Sequence, residues 1–146
     1  MSAELDALQA TLAGEHAATY CYGVLGARTS ASTQHALYRL MVDAFALHRR
    51  QRDQVAVMIG ALGAAAVPAA VSYQVPGFTD TAAGVTAAEL NNAALQVEHR
   101  IARTYGELIE NTTGAVRRWA LVALDRSAVR QMEFRGTPEM FPGTTL

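Results

Sequence analysis

Lysine is absent from the 146 residues, so every positive side chain other than histidine is arginine. The 12 basic residues are offset by 13 acidic ones, a formal net charge of -1 that gives no support to nucleic-acid binding through a strongly basic surface. The cluster Arg49, Arg50 and Arg52 is followed by Asp53, has no interleaved aromatic platform, and reads as a solvated helix face. A single cysteine, Cys21, rules out an internal disulfide, and its place in a helical segment favours a core role over a catalytic thiol. No uninterrupted apolar run approaches the roughly 20 residues that span a bilayer, so no membrane partner is expected. The start, Met1 to Asp6, is acidic rather than basic and apolar, which sets cytoplasm as the expected location. Gly-rich phosphate loops, nucleophile elbows, zinc-finger spacings and EF-hand patterns are all missing. No motif names a reaction.

What remains is an alanine-rich chain, 51% hydrophobic with only 7% aromatic residues. Alanine has the highest helix propensity and loses no side-chain entropy, so an all-α fold is expected. Ser2 is a good N-cap, with Glu4 and Asp6 in the turn where the helix dipole favours acids. The first apolar stripe runs Leu5, Leu8, Leu12, Thr19, Tyr22, Gly26 and fades in the polar turn Thr29 to Ser32. A second helix begins near Ser32 or Thr33, carries Leu37, Met41, His48, Arg52, Val55 and Ile59, and stops at Gly63. Residues 64–80, with Pro68, Pro76 and Gly77, read as a linker long enough to cross a bundle end to end. A third helix starts at Asp80 or Thr81, or else at Thr86, where Glu89 completes a capping box. Its stripe is Leu90, Ala94, Glu98, Ile101, Tyr105 and Leu108. After the turn Asn111 to Gly114, a fourth helix runs from Ala115 to Arg135, ended by Gly136. The tail 136–146 is broken by Pro and Gly and is expected to fold back over one end of the bundle. One domain, residues 1–146, is the expected organisation.

Glu15, His48 and Glu98 fall within apolar stripes of three different helices. A buried carboxylate is costly unless it is paired or binds a metal. Arg52, one turn after His48, and Arg130 on the fourth helix are the available cations. His16 and His99 each follow a candidate residue by one position, about 100° round the helix, and are read as surface or interface residues. His35 is expected to be exposed near a helix start. Tyr20, Tyr22 and Tyr105 either hydrogen-bond into the polar cluster or fill the core, with the second preferred, and Trp119 is read as a packing residue.

Particular segments make the chain resemble a known family. These are Leu8 to Ala18, Tyr22 to Ala27, Ala46 to Asp53, the linker Tyr73 to Phe78, and the endings Phe134 to Pro138 and Phe141 to Gly143. Across nearly its whole length the chain is similar to the ferritin-like domain family of uncharacterised, alanine-rich bacterial proteins. The resemblance implies a ferritin-like four-helix bundle with a long crossover between helices two and three, and self-association as a homodimer. Di-metal bundles of this kind use one Glu on each of two helices and a Glu-x-x-His pair on each of the others. Glu15, Glu98 and His48 match such positions. Phe45 stands three residues before His48, and on the fourth helix the nearest acid, Asp125, is followed three residues later by Ala128. Two readings follow. The preferred one is a non-enzymatic bundle whose core holds a polar network of Glu15, His48, Arg52, Glu98 and Arg130. The other is an oxidoreductase-like protein binding iron or manganese through Glu15, His48, Glu98 and Asp125.

Overall fold

The computed structural model describes residues 2–79 and 84–144. Local chemistry sets each helix end. Helix α1 (Ala3–Arg28) opens at Ser2, whose hydroxyl accepts from the Leu5 N–H at 3.2 Å. Helix α2 (His35–Ala61) starts slightly later than the sequence suggests. Residues 30–34 instead form a turn held by side chains: the Thr33 N–H donates to the Ser30 hydroxyl at 3.1 Å, and the Ser30 N–H to Gln34 Oε1 at 3.0 Å. Helix α3 (Ala87–Glu110) begins at the Thr86–Glu89 capping box, with both reciprocal hydrogen bonds made. The earlier starts at Asp80 and Thr81 lie outside the described residues. Helix α4 (Gly114–Glu133) ends where Arg135, at φ 65°, turns left-handed and the Gly136 N–H reaches back to the Gln131 carbonyl at 2.7 Å. Among the described residues there is no strand, and no helix is long and apolar enough to cross a membrane.

Side-chain pairs fix the helix directions. Tyr22 on α1 meets Glu98 on α3, while Glu15 meets Tyr105. Rising numbers on one helix thus face falling numbers on the other, so α1 and α3 are antiparallel. The short turns make α1–α2 and α3–α4 antiparallel hairpins. The result is an all-α four-helix bundle in which α2 and α3 run the same way, so the chain must cross the bundle between them.

That crossing is longer than the 64–80 linker read from sequence, because α2 stops at Ala61 and α3 begins at Ala87. It runs beside α1. Gln9 donates to the Ala65 carbonyl at 2.7 Å and accepts from the Val67 N–H at 2.8 Å. His16 Nε2 donates to the Val67 carbonyl at 3.0 Å. Further along, the Tyr20 and Tyr73 rings lie 5.7 Å apart. The tail takes a matching course along α3, not over an end of the bundle. His99 Nδ1 is 3.2 Å from Glu139 Oε1. Gly143, at φ 82°, lies so close to α3 that a β-carbon there would collide with the Ala102 carbonyl oxygen.

The core joins all four helices in one cluster, with Leu8, Leu25, Met41, Ile59, Ile101, Leu108 and Phe134 almost fully enclosed. Within this apolar cluster lies a set of buried polar residues, at mid-height between the helices.

Candidate functional site in the bundle core

Burial alone makes Glu15, His48 and Glu98 unusual, since each has 0% of its surface exposed. The structure brings the three together. His48 Nδ1 is 2.7 Å from Glu15 Oε2, and His48 Nε2 is 3.0 Å from Glu98 Oε1. Each carboxylate collects further donors. Tyr105 donates its hydroxyl to Glu15 Oε1 at 2.5 Å. Tyr22 donates to Glu98 Oε1 at 2.6 Å, Arg130 Nε to the same oxygen at 2.9 Å, and Ser127 to Glu98 Oε2 at 2.7 Å. The Tyr22 ring also stacks on the His48 imidazole, centroids 5.2 Å apart and 11° from parallel.

Charge follows from this geometry. Both ring nitrogens of His48 face carboxylate oxygens, so both must donate, and the ring that does so is the imidazolium. Burial opposes that charge, but Glu15 and Glu98 outweigh it and raise the His48 pKa from 6.5 to about 9. Burial likewise opposes ionisation of Glu98, yet His48 and Arg130 hold its pKa down at about 2. The Tyr22 and Tyr105 hydroxyls are pushed well above their ordinary range by burial and by the carboxylates they serve, so they stay protonated donors. Two carboxylates against one imidazolium and one guanidinium make the cluster neutral.

Two residues proposed from sequence stand outside. Arg52 is partly exposed and pairs with Asp53 at 2.7 Å. The buried stripe of α2 runs His48, Gln51, Val55, so Arg52 is turned one residue too far toward solvent. Asp125 is exposed on the far side of α4 from the core. The inward positions of that helix are Ala120, Ala123, Ser127, Arg130 and Gln131, so the inward pair spaced by three is Ser127 and Arg130, not Asp125 and Ala128. Correspondingly, the fully inward pair on α2 is His48 and Gln51, with Phe45 only half-buried. Tyr22 and Tyr105 both fill the core and bond the carboxylates, so the two roles weighed as alternatives from sequence are held together. Tyr20 does neither, at 37% exposure.

A signal for the tyrosines was present in the chain. Glu15-His16 precedes Tyr22 with the same spacing as Glu98-His99 precedes Tyr105. Seven residues are nearly two helical turns, so each Glu and its Tyr share one face. On antiparallel helices the two pairs cross-match, each Tyr serving the other helix's Glu. The two following histidines also match: His16 ties down the segment after α2, and His99 the segment after α4.

The donor set does not suit a metal ion. The imidazolium has no lone pair free, and a divalent cation would add two positive charges to a cluster already neutral. Gln51, whose buried amide has no hydrogen-bond partner among the described residues, would add one neutral oxygen at most. No group of three or more His, Cys, Asp or Glu among the described residues is arranged to hold a metal.

Comparison with known proteins places this architecture. The model of a domain of unknown function, DUF4439, matches residues 7–146. The crystal structure of a conserved hypothetical protein from Mycobacterium tuberculosis is 33% identical, with 91% of this chain and 88% of that chain covered and a TM-score of 0.79. A ferritin-like, diiron-carboxylate protein from Bacillus anthracis superposes with a TM-score of 0.75, covering 90% of this chain and 92% of that one. Its 18% identity makes that likeness one of fold alone, and the fold is ferritin-like. No curated protein matches the chain.

Proposed function

The chain belongs to the DUF4439 family, whose model takes in nearly all of it, and we propose for it a non-enzymatic role. In this reading the protein is a ferritin-like bundle acting as a structural or interaction protein. A Glu15–His48–Glu98–Arg130 ion-pair network holds its core where di-metal bundles keep their ions. The observation that carries the reading is the double engagement of His48, at 2.7 Å and 3.0 Å from two carboxylates. Imidazolium and guanidinium together supply the two positive charges that the two carboxylates require. The tyrosines and Ser127 satisfy the remaining carboxylate lone pairs, as a buried ion pair needs if it is to be tolerated.

The second reading is a protein that binds iron or manganese through Glu15, His48 and Glu98. It is favoured by the convergence of those residues from three helices, and by the likeness in fold to a diiron-carboxylate protein from Bacillus anthracis. It requires His48 to lose a proton and Arg130 to withdraw. Elemental analysis of untagged protein supplied with iron, manganese and zinc separates the two. The network reading expects no stoichiometric metal. Stoichiometric metal that disappears in His48→Ala would establish the second reading instead.

A further inference from the structure

The outward face of α4 carries more apolar surface than a solvated helix needs. Leu121, Val122, Val129 and Met132 are 49%, 50%, 54% and 46% exposed. They lie on the side opposite the buried Ala123, Ser127 and Arg130, and form one ridge along the helix. Interspersed on the same face are four exposed charged residues, Arg118, Asp125, Arg126 and Glu133. None of the ion pairs within the described residues involves any of them. Beside the ridge, α2 and α4 leave a groove of about 260 Å³ lined by Leu40, Leu47 and Val129 and by the charged Asp43, Asp125, Arg126 and Glu133.

The order of these residues is self-complementary when read in reverse. Place a second α4 antiparallel across the first, with the two-fold axis between Asp125 and Arg126. Val122 then falls opposite Val129, Arg118 opposite Glu133, and Asp125 opposite Arg126, each pair occurring twice by symmetry. Read in parallel, the valines would still meet, but each charged residue would face its own copy, arginine on arginine and acid on acid. We propose that this face is the contact between two copies of the chain, with Val122 of one copy set beside the groove next to Val129 of the other. The Asp125–Arg126 pairs lie at the axis and set the register, the Val122–Val129 contacts flank it on either side, and the Arg118–Glu133 pairs close the two ends. Arginine is suited to that role because its planar fork can pair bidentately with a carboxylate. The inference is independent of the core network, and its failure would leave that reading untouched.

Sedimentation equilibrium of the full chain tests it. Wild type is expected at twice the chain mass of 15.6 kDa at tens of micromolar, and Val129→Glu at the chain mass itself. All three positions changed in this series, Arg118, Val129 and Glu133, are exposed, and far-ultraviolet circular dichroism checks that the helices persist. Glu133→Arg should weaken the dimer at least tenfold by setting arginine against Arg118. The double variant Arg118→Glu with Glu133→Arg should restore it, a rescue that a general loss of stability would not give. A monomeric wild type at millimolar concentration overturns the proposal, and so does a dimer indifferent to Val129→Glu. A dimer that weakens in Glu133→Arg without rescue in the double variant overturns the antiparallel register.

Discussion

His48 is charged, fully enclosed and flanked on both sides by carboxylates. Glu98 is its counterpart, with His48, Arg130, Tyr22 and Ser127 all directed at one carboxylate. Removing one member of a buried ion network leaves the others uncompensated, a cost of about 3–5 kcal/mol. Glu98→Ala is therefore expected to lose that much in urea denaturation, against about 1.5–3 kcal/mol for Tyr105→Phe, which deletes one hydrogen bond to a charged carboxylate and keeps the ring. A Glu98→Ala loss no larger than the Tyr105→Phe loss would mean that the network does not hold the core. At this scale the sequence was informative where an ionisable residue interrupted an apolar stripe, as at Glu15, His48 and Glu98. It misplaced Arg52 and Asp125, since one residue of helix phase, about 100°, separates the core from solvent.

Helix ends were the most readable elements. Ser2 and the Thr86–Glu89 box act through side chains and backbone within one turn, so their sequence pattern is sufficient. The Glu89 carboxyl is held below its ordinary pKa by the backbone and hydroxyl donors of Thr86. Thr86→Ala should cost about 1 kcal/mol and speed amide exchange in the first turn of α3. Unchanged exchange there would show that the helix start is fixed by tertiary packing instead. Helix α1 was harder to read as an amphipathic element, for a reason visible only in three dimensions. It packs against α2 and α3 and is also covered by the crossover, so residues such as Gln9 and His16 look solvent-facing but bind linker backbone.

For the whole molecule, the network ties stability to pH on two sides. The His48 pKa is raised from 6.5 to about 9. Its contribution is therefore complete below pH 6.5 and is lost as pH rises through about 9. The Glu98 pKa is lowered from 4.5 to about 2, so its contribution is present above pH 4.5 and is lost as pH falls through about 2. Thermal unfolding should be most resistant between pH 4.5 and 6.5. The alkaline decline should be on the order of 3 kcal/mol by pH 9 and should flatten in His48→Gln. An alkaline limb unchanged in His48→Gln would assign it to another group.

The sequence by itself determined four helices, the caps at Ser2 and Thr86, a linker long enough to cross the bundle, and which ionisable residues interrupt the apolar stripes. These depend on local propensity and on the 3.6-residue period, which act along the chain. Only the tertiary structure decided which cation reaches which carboxylate, that Tyr22 and Tyr105 serve each other's helix, and that the crossover and tail lie along α1 and α3. Those outcomes depend on helix rotation and relative height, set when four apolar faces pack at once, and a shift of one residue changes the partner.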